Sequence, residues 1–316
     1  MDASPPGPSG GPLAFVGLGV MGGPIAARLL AAGAQLAVHN RDRAKAAPLL
    51  SAGATWAESP REAARWARGG IVFVMVSDIG AVRAVVFGRT GVAAGADPKT
   101  LVVNLSTIGP EESRKVSERL GRRGIPYLEA PVGGSLDAAA RGELLVLAGG
   151  TAEDLERARP WLQRFARRIE HLGPVGLGAA MKLVNNLVTV GTVALDAEAI
   201  ALAEALGLER ERTVDLLLAG GGESRMLASK RGAFVAREYP TQFKLGLADK
   251  DLGLIGRAAR DAGLRTPLAR ETRRLTTEAI RGGAGEQDLA VVLETARRRR
   301  TEPAPVERTG PPSSPT

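Results

Sequence analysis

Three glycines and one lysine carry the chemistry that can be read directly from this chain. Gly17, Gly19 and Gly22 form G-x-G-x-x-G, immediately after the apolar run Leu13 to Val16. A strand that turns through such glycines into a helix brings backbone N–H groups and the positive end of a helix dipole up to a pyrophosphate. Gly17, Leu18, Gly19, Val20, Met21 and Gly22 are therefore expected to hold a dinucleotide. About 20 residues beyond the glycines, where an acid normally grips the ribose 2′-hydroxyl of NAD, the second strand of the unit ends in Asn40 and Arg41. An amide and a guanidinium suit a 2′-phosphate, so NADP(H) is the expected cofactor and NAD(H) the less preferred one.

Lys182 opens a helical pattern, MKLVNNLVTVGTVAL, that is apolar nearly all round, and Asn186 shares its face one turn on. An ammonium in such a helix is costly unless it is paired or working. Gly176 and Gly178 just before it would let backbone come close to a ligand. Taken alone, the same pattern also describes a lysine reaching back to solvent from a helix start.

Four blocks together are more specific: VGLGVMGGPIAARLLAAG with HNR after it, NLSTIGP at Asn104 to Pro110, EAPVGGSLDAAARGEL at Glu129 to Leu144, and GLGAAMKLVNN at Gly176 to Asn186. FKLGLADKDL at Phe243 to Leu252 supports them. In this order they resemble the β-hydroxyacid dehydrogenase family, which includes 3-hydroxyisobutyrate dehydrogenases and glyoxylate/succinic semialdehyde reductases, from about Leu13 to Ile280. The resemblance implies an NADP-dependent oxidoreductase that interconverts a short β-hydroxyacid and its semialdehyde or keto acid. It also implies a catalytic role for Lys182, with Asn186 as its companion and Asp251 supporting it. Thr107 is placed by analogy beside nicotinamide and substrate, Phe243 in the pocket wall and Lys250 near the cofactor. The plain readings are Thr107 as a helix cap, Phe243 as core, and Lys250 with Asp251 as a solvated helix face.

One block departs from the family pattern. Members usually show A-P-V-S-G, whereas this chain has APVGGS, so Gly133 stands where a serine is expected to hold a substrate carboxylate. Gly133 and Gly134 can still offer backbone N–H groups, and Ser135 is the nearest hydroxyl. An imine reductase and a non-catalytic NADP-binding protein share the expected fold. Lys182 counts against the first, and the presence of Lys182, Asn186 and Asp251 together against the second. A decarboxylating 6-phosphogluconate dehydrogenase would carry a His where Asn185 stands.

The elements that must position these residues follow an α/β rhythm. Strands are expected at Leu13 to Val16, Gln35 to His39, Ala54 to Trp56 (an edge), Ile71 to Val76, Leu101 to Asn104, Tyr127 to Glu129 and Leu144 to Ala148. Helices are expected between them, up to Gly33, near Arg43 to Leu50, from Pro60 and over Glu111 to Arg122. The sum is a Rossmann-type doubly wound parallel sheet, residues 13–173. An all-helical domain for substrate and oligomerisation, residues 174–297, follows with helices at Ala179 to Leu206, Arg210 to Leu218, Gln242 to Ala262 and Thr266 to Ile280. Residues 1–12 and 298–316, rich in Pro, Gly, Ser and Arg, are expected to be disordered tails.

Composition sets the remaining bounds. The 316 residues, 44% of them hydrophobic, suffice for two cores, and the absence of cysteine rules out disulfides and thiolate chemistry. No metal site is expected. No uninterrupted apolar run reaches about 18 residues, and the first lacks a basic start, so neither a membrane span nor a signal peptide is expected and a cytoplasmic enzyme is. The formal charge is +8, from 42 basic and 34 acidic residues. Arg297 to Arg300 supply half of that excess and read as a solvated helix end rather than a nucleic-acid site. The partner is a small carbonyl or hydroxyacid substrate, and the resemblance implies a homodimer or homotetramer.

Overall fold

The computed structural model describes residues 11–299. Both tails expected from composition, apart from Gly11, Pro12, Arg298 and Arg299, lie outside the described residues. The first part alternates β1 (Leu13–Val16), α1 (Gly22–Ala31), β2 (Leu36–His39), α2 (Ala47–Ser51), β3 (Thr55–Trp56), α3 (Pro60–Trp66), β4 (Ile71–Val74), α4 (Ile79–Phe87), β5 (Leu101–Asn104), α5 (Pro110–Gly121) and β6 (Tyr127–Glu129). These six strands form one parallel sheet in the order β3-β2-β1-β4-β5-β6. Its central strands are buried on both faces. Leu13 and Phe15 point into one core, while Ala14 and Val16 point into the other. The order reverses between β1 and β4, where doubly wound sheets bind ligands at the carboxyl ends of their strands.

The chain then leaves that sheet. β7 (Val132–Gly133), α6 (Leu136–Arg141), β8 (Leu144–Ala148), α7 (Ala152–Leu162) and β9 (Ala166–His171) follow, and β7-β8-β9 form a separate sheet of three strands. Leu144 to Ala148, expected to extend the parallel sheet, instead pairs antiparallel with β7 and parallel with β9. Its apolar run announces a strand but not its neighbours. Three further expectations shift: the strand at Ile71 stops at Val74, Arg43 to Ala46 is a 3-10 turn ahead of α2, and the helix expected from Gln242 begins at Leu245.

Helices complete the chain: α8 (Leu177–Ala205), α9 (Arg210–Ala219), α10 (Arg225–Ala236), α11 (Leu245–Asp261), α12 (Pro267–Arg281) and α13 (Val292–Arg298). The second core is built on α8, whose Leu183, Val190, Val193, Ala197 and Ile200 pack with Leu252, Leu275 and Leu293. By length and composition α8 could cross a membrane, yet half of its most apolar window is buried in the protein. Its role here is that of a core helix. The arginine run is only partly a solvated end, because Arg297 is half-buried and bonds Glu204 at 2.5 Å.

Candidate active site

The glycine turn between β1 and α1 divides its labour as a dinucleotide site requires. Gly17 has φ +105°, and a Cβ there would run into the Met75 carbonyl oxygen, while a Cβ on Gly22 would run into the Gly17 carbonyl oxygen. Gly19 instead faces open space, with nothing within 4 Å of an added Cβ. The outer glycines close the turn and the middle one leaves room for a phosphate. No side chain caps α1, so none competes with an anion for the N–H groups of its first turn. These residues fit a nicotinamide dinucleotide.

At the end of β2 the two expected specificity residues part company. Asn40 Oδ1 accepts from Leu18 N–H at 3.0 Å and its Nδ2 donates to Asp42 O at 2.8 Å, so Asn40 braces the glycine turn. Arg41 is exposed, with no hydrogen bond or ion pair among the described residues. The nearby Arg43 lies over the Trp56 ring, 5.2 Å from its centroid, and pairs loosely with Glu58.

The loops after β4 and β5 are tied together at the carboxyl edge of the sheet. Val76 N–H donates to Ser106 Oγ at 2.9 Å, and Ser106 N–H donates to Asn104 Oδ1 at 3.1 Å. Lys250, from α11, spans both loops by donating to Ser77 O at 2.9 Å and Thr107 O at 2.8 Å. Thr107 is no helix cap, since Gly109 occupies that position in front of Pro110. Nor is Lys250 a surface lysine, because its ammonium fastens the helical part onto the cofactor edge of the sheet.

Asp251 stands beside it, 2% exposed. Its Oδ2 accepts from Asn186 Nδ2 at 2.6 Å, and Lys250 Nζ lies 2.9 Å from Oδ1. Asn186, expected as the companion of Lys182, thus holds the Asp251 carboxylate. Lys182 lies one turn before Asn186 on α8 and is half-buried. Desolvation lowers its pKa from the ordinary lysine value; the Asp251 carboxylate opposes that shift and the Lys250 ammonium adds to it. Lys182, Asn186, Lys250, Asp251 and the Thr107 backbone therefore share one neighbourhood, drawn from two helices and one loop.

Other expected residues have different surroundings. Phe243 is partly buried against the helical core, its N–H held by Asp288 Oδ2 at 2.9 Å. Gly133 lies in β7 opposite Leu145, and a Cβ there would meet Leu145 at an ordinary 3.8 Å. Ser135 caps α6, its Oγ accepting from Ala138 N–H at 3.2 Å, which leaves its own O–H as a donor. Gly134, between them, has φ +135°, a backbone conformation that favours glycine. Among the described residues no group of three His, Asp or Glu could hold a metal ion.

Sequence reasoning missed Glu129. This residue ends β6, is 1% exposed, and accepts through Oε1 from the N–H groups of Gly176 (2.7 Å), Gly178 (2.8 Å) and Ala179 (3.2 Å). The two glycines expected to face a ligand face this carboxylate instead. A charged residue closing an apolar strand was its only visible signal.

Comparison with known proteins places the chain in a family. Residues 12–173 match the family profile described as the NAD binding domain of 6-phosphogluconate dehydrogenase. Residues 176–296 match the one described as NAD-binding of NADP-dependent 3-hydroxyisobutyrate dehydrogenase. The chain is 35% identical to the 3-sulfolactaldehyde reductase of Escherichia coli strain K12 over 286 residues, covering 90% of this chain and 95% of that protein. The chain belongs to the β-hydroxyacid dehydrogenase family. A second relative, the NAD-dependent L-serine dehydrogenase of Pseudomonas aeruginosa, is also 35% identical, over 89% of this chain and 96% of its own. The crystal structure of a 3-hydroxyisobutyrate dehydrogenase from Salmonella typhimurium superimposes with a TM-score of 0.83 at 29% identity, covering 90% and 99% of the two chains. This β-hydroxyacid dehydrogenase family member is an NAD(P)-dependent oxidoreductase acting on CH–OH groups.

Proposed function

We propose that this enzyme interconverts a short β-hydroxyacid and its semialdehyde or keto acid, prefers NADP(H), and uses Lys182 as general acid and base. The observation that carries this reading is a half-buried lysine with lowered pKa, beside the Asn186–Asp251–Lys250 cluster that fastens α8 and α11 to the cofactor edge of the sheet. When bound, the reduced nicotinamide supplies a hydride to the substrate carbonyl carbon. Lys182 gives a proton to the carbonyl oxygen as negative charge develops there, and in the reverse direction its neutral amine takes that proton. Desolvation brings the amine nearer working pH. The Asp251 carboxylate opposes that shift.

Arg41 supports the NADP preference, because it offers an uncommitted guanidinium at the end of β2. A homo-oligomer is supported by the outer face of α8. There Leu177, Met181, Val184, Val188, Leu195 and Leu202 recur at helical spacing and stay exposed. The whole reading is tested by NADPH-oxidation assays with glyoxylate, succinic, methylmalonate and tartronate semialdehydes, 3-sulfolactaldehyde and cyclic imines. Turnover confined to the acid aldehydes is expected. Turnover confined to the imines would overturn the proposal.

A further inference from the structure

α8 begins without a local cap. Its N-cap residue, Gly176, has φ +105° and no side chain, and Gly176, Gly178 and Ala179 are buried while Leu177 between them faces out. Orphan N–H groups in such a place need an acceptor. Glu129 supplies it from 47 residues upstream, taking three N–H groups on a single oxygen. The surroundings are shaped around that contact. A Cβ on Gly149 would run into Glu129 Oε1, and a Cβ on Gly178 would run into the Leu147 carbonyl oxygen and come within 3.1 Å of Glu129 Oε1. Glu129 is itself locked by reciprocal backbone hydrogen bonds with Gly149, at 3.0 and 2.9 Å. Its Oε2 is buried without an aligned partner, Ser113 Oγ lying 3.0 Å from the Tyr127 hydroxyl instead.

Position makes this cap relevant to the reaction. Lys182 follows Ala179, the last capped residue, by three positions, about 4.5 Å along the helix axis. In the other direction, Gly133 to Ser135 begin four residues after Glu129. The Glu129 carboxylate thus ties the end of β6 to the turn of α8 that delivers the lysine, and the turn expected to hold the substrate acid follows β6 directly in the chain. We propose that Glu129 is a positioning residue: it sets where Lys182 stands relative to the cofactor edge of the sheet. This rests on the reading of Lys182 as the proton donor.

A displacement of about 1 Å in a reacting group can cost on the order of 10²-fold in rate. Glu129→Ala should therefore lower kcat about 10- to 100-fold, with Kd for NADPH and the far-ultraviolet circular dichroism unchanged. Glu129→Gln keeps an acceptor at Oε1 and should restore kcat to within about fivefold of wild type, on the principle that an amide oxygen can take the same N–H groups. A Lys182→Met double-mutant cycle identifies the route of action: once Lys182 is gone, Glu129→Ala should cost no further rate. Additive losses, or a joint fall of kcat, cofactor affinity and melting temperature in the Gln variant, would overturn the positioning role. If Glu129→Ala does not fold, the cycle is run with Glu129→Gln and Glu129→Asp, whose shorter arm must lose the contact; equal kcat in these two refutes the proposal. Full activity of Lys182→Met alone would instead fault the lysine reading, and would leave the cap without its catalytic meaning.

Discussion

Cofactor choice is expected to separate into two effects at neighbouring residues. Arg41 is exposed and uncommitted, so its replacement by Ala removes no contact from the free protein and should leave the melting temperature unchanged. If it holds the 2′-phosphate, the loss is one charge-assisted interaction of about 1.5 to 3 kcal/mol, or about 10- to 150-fold in Kd for NADPH, with little change for NADH. Asn40 is different, because its Oδ1 takes the Leu18 N–H at 3.0 Å and braces the turn that both cofactors use. Asn40→Ala removes a neutral hydrogen bond of about 0.5 to 1.5 kcal/mol, so Kd should rise roughly 2- to 13-fold for NADPH and NADH alike. Calorimetric titration of both variants with both cofactors is the assay. Equal losses for NADPH and NADH in Arg41→Ala, or an NADPH-selective loss in Asn40→Ala, would refute the division.

Three further outcomes are expected. Burial raises the Asp196 carboxyl from 3.8 to about 6 on α8, so the folded state holds its proton to higher pH than the unfolded state. Stability should fall between those values and stay lower above them by at most about 3 kcal/mol. Asp196→Asn should then raise the melting temperature at pH 8 and not at pH 3.5, and a gain of the same size at both would contradict the assignment. Gly133→Ser finds room beside Leu145 and restores a donor, so KM for short acid aldehydes should fall, and an unchanged KM across the substrate series would remove the idea. Leu195→Lys puts a charge on the exposed face of α8 and should reduce the mass seen by light scattering to that of a monomer; an unaltered oligomer would place the interface elsewhere.

Much of the nucleotide half was legible because its signals are local. Glycine spacing after an apolar run specifies β1, the turn and α1 with little help from the rest of the chain, and the apolar strand β4, with the apolar run Leu101 to Val103 of β5, announces a sheet covered on both faces. The second sheet was not legible. β7 has two residues and β9, ARRIEH, is mostly polar, so neither shows a buried periodicity. α7 carries Pro160 within it, and α10 mixes Lys, Arg and Ser into its pattern, which hid both. The lysine half of the site was visible because an ammonium among apolar residues stands out. Its supports were less so: the Asn186–Asp251 contact spans 65 residues and the Glu129–Gly176 contact 47. Pairings of that kind are set by packing, and no spacing rule reports them. The same limit explains Gly176 and Gly178, whose smallness was evident while the group they make room for was not.

The central claim is that Lys182 moves the proton, and Lys182→Met tests it most directly because the substitution keeps length and apolar bulk. General acid–base catalysis contributes about 10² to 10⁴ in rate, so kcat on the best acid aldehyde should fall by that factor while Kd for NADPH holds. The lowered lysine pKa means that the folded state carries a desolvation cost at neutral pH, which vanishes as pH rises past the ordinary lysine value. The Met variant should accordingly melt at the same temperature as wild type or higher at pH 7. A Met variant that keeps more than about a tenth of wild-type kcat, well short of the smallest loss expected from removing a general acid, would show that Lys182 is structural and that the proton comes from elsewhere.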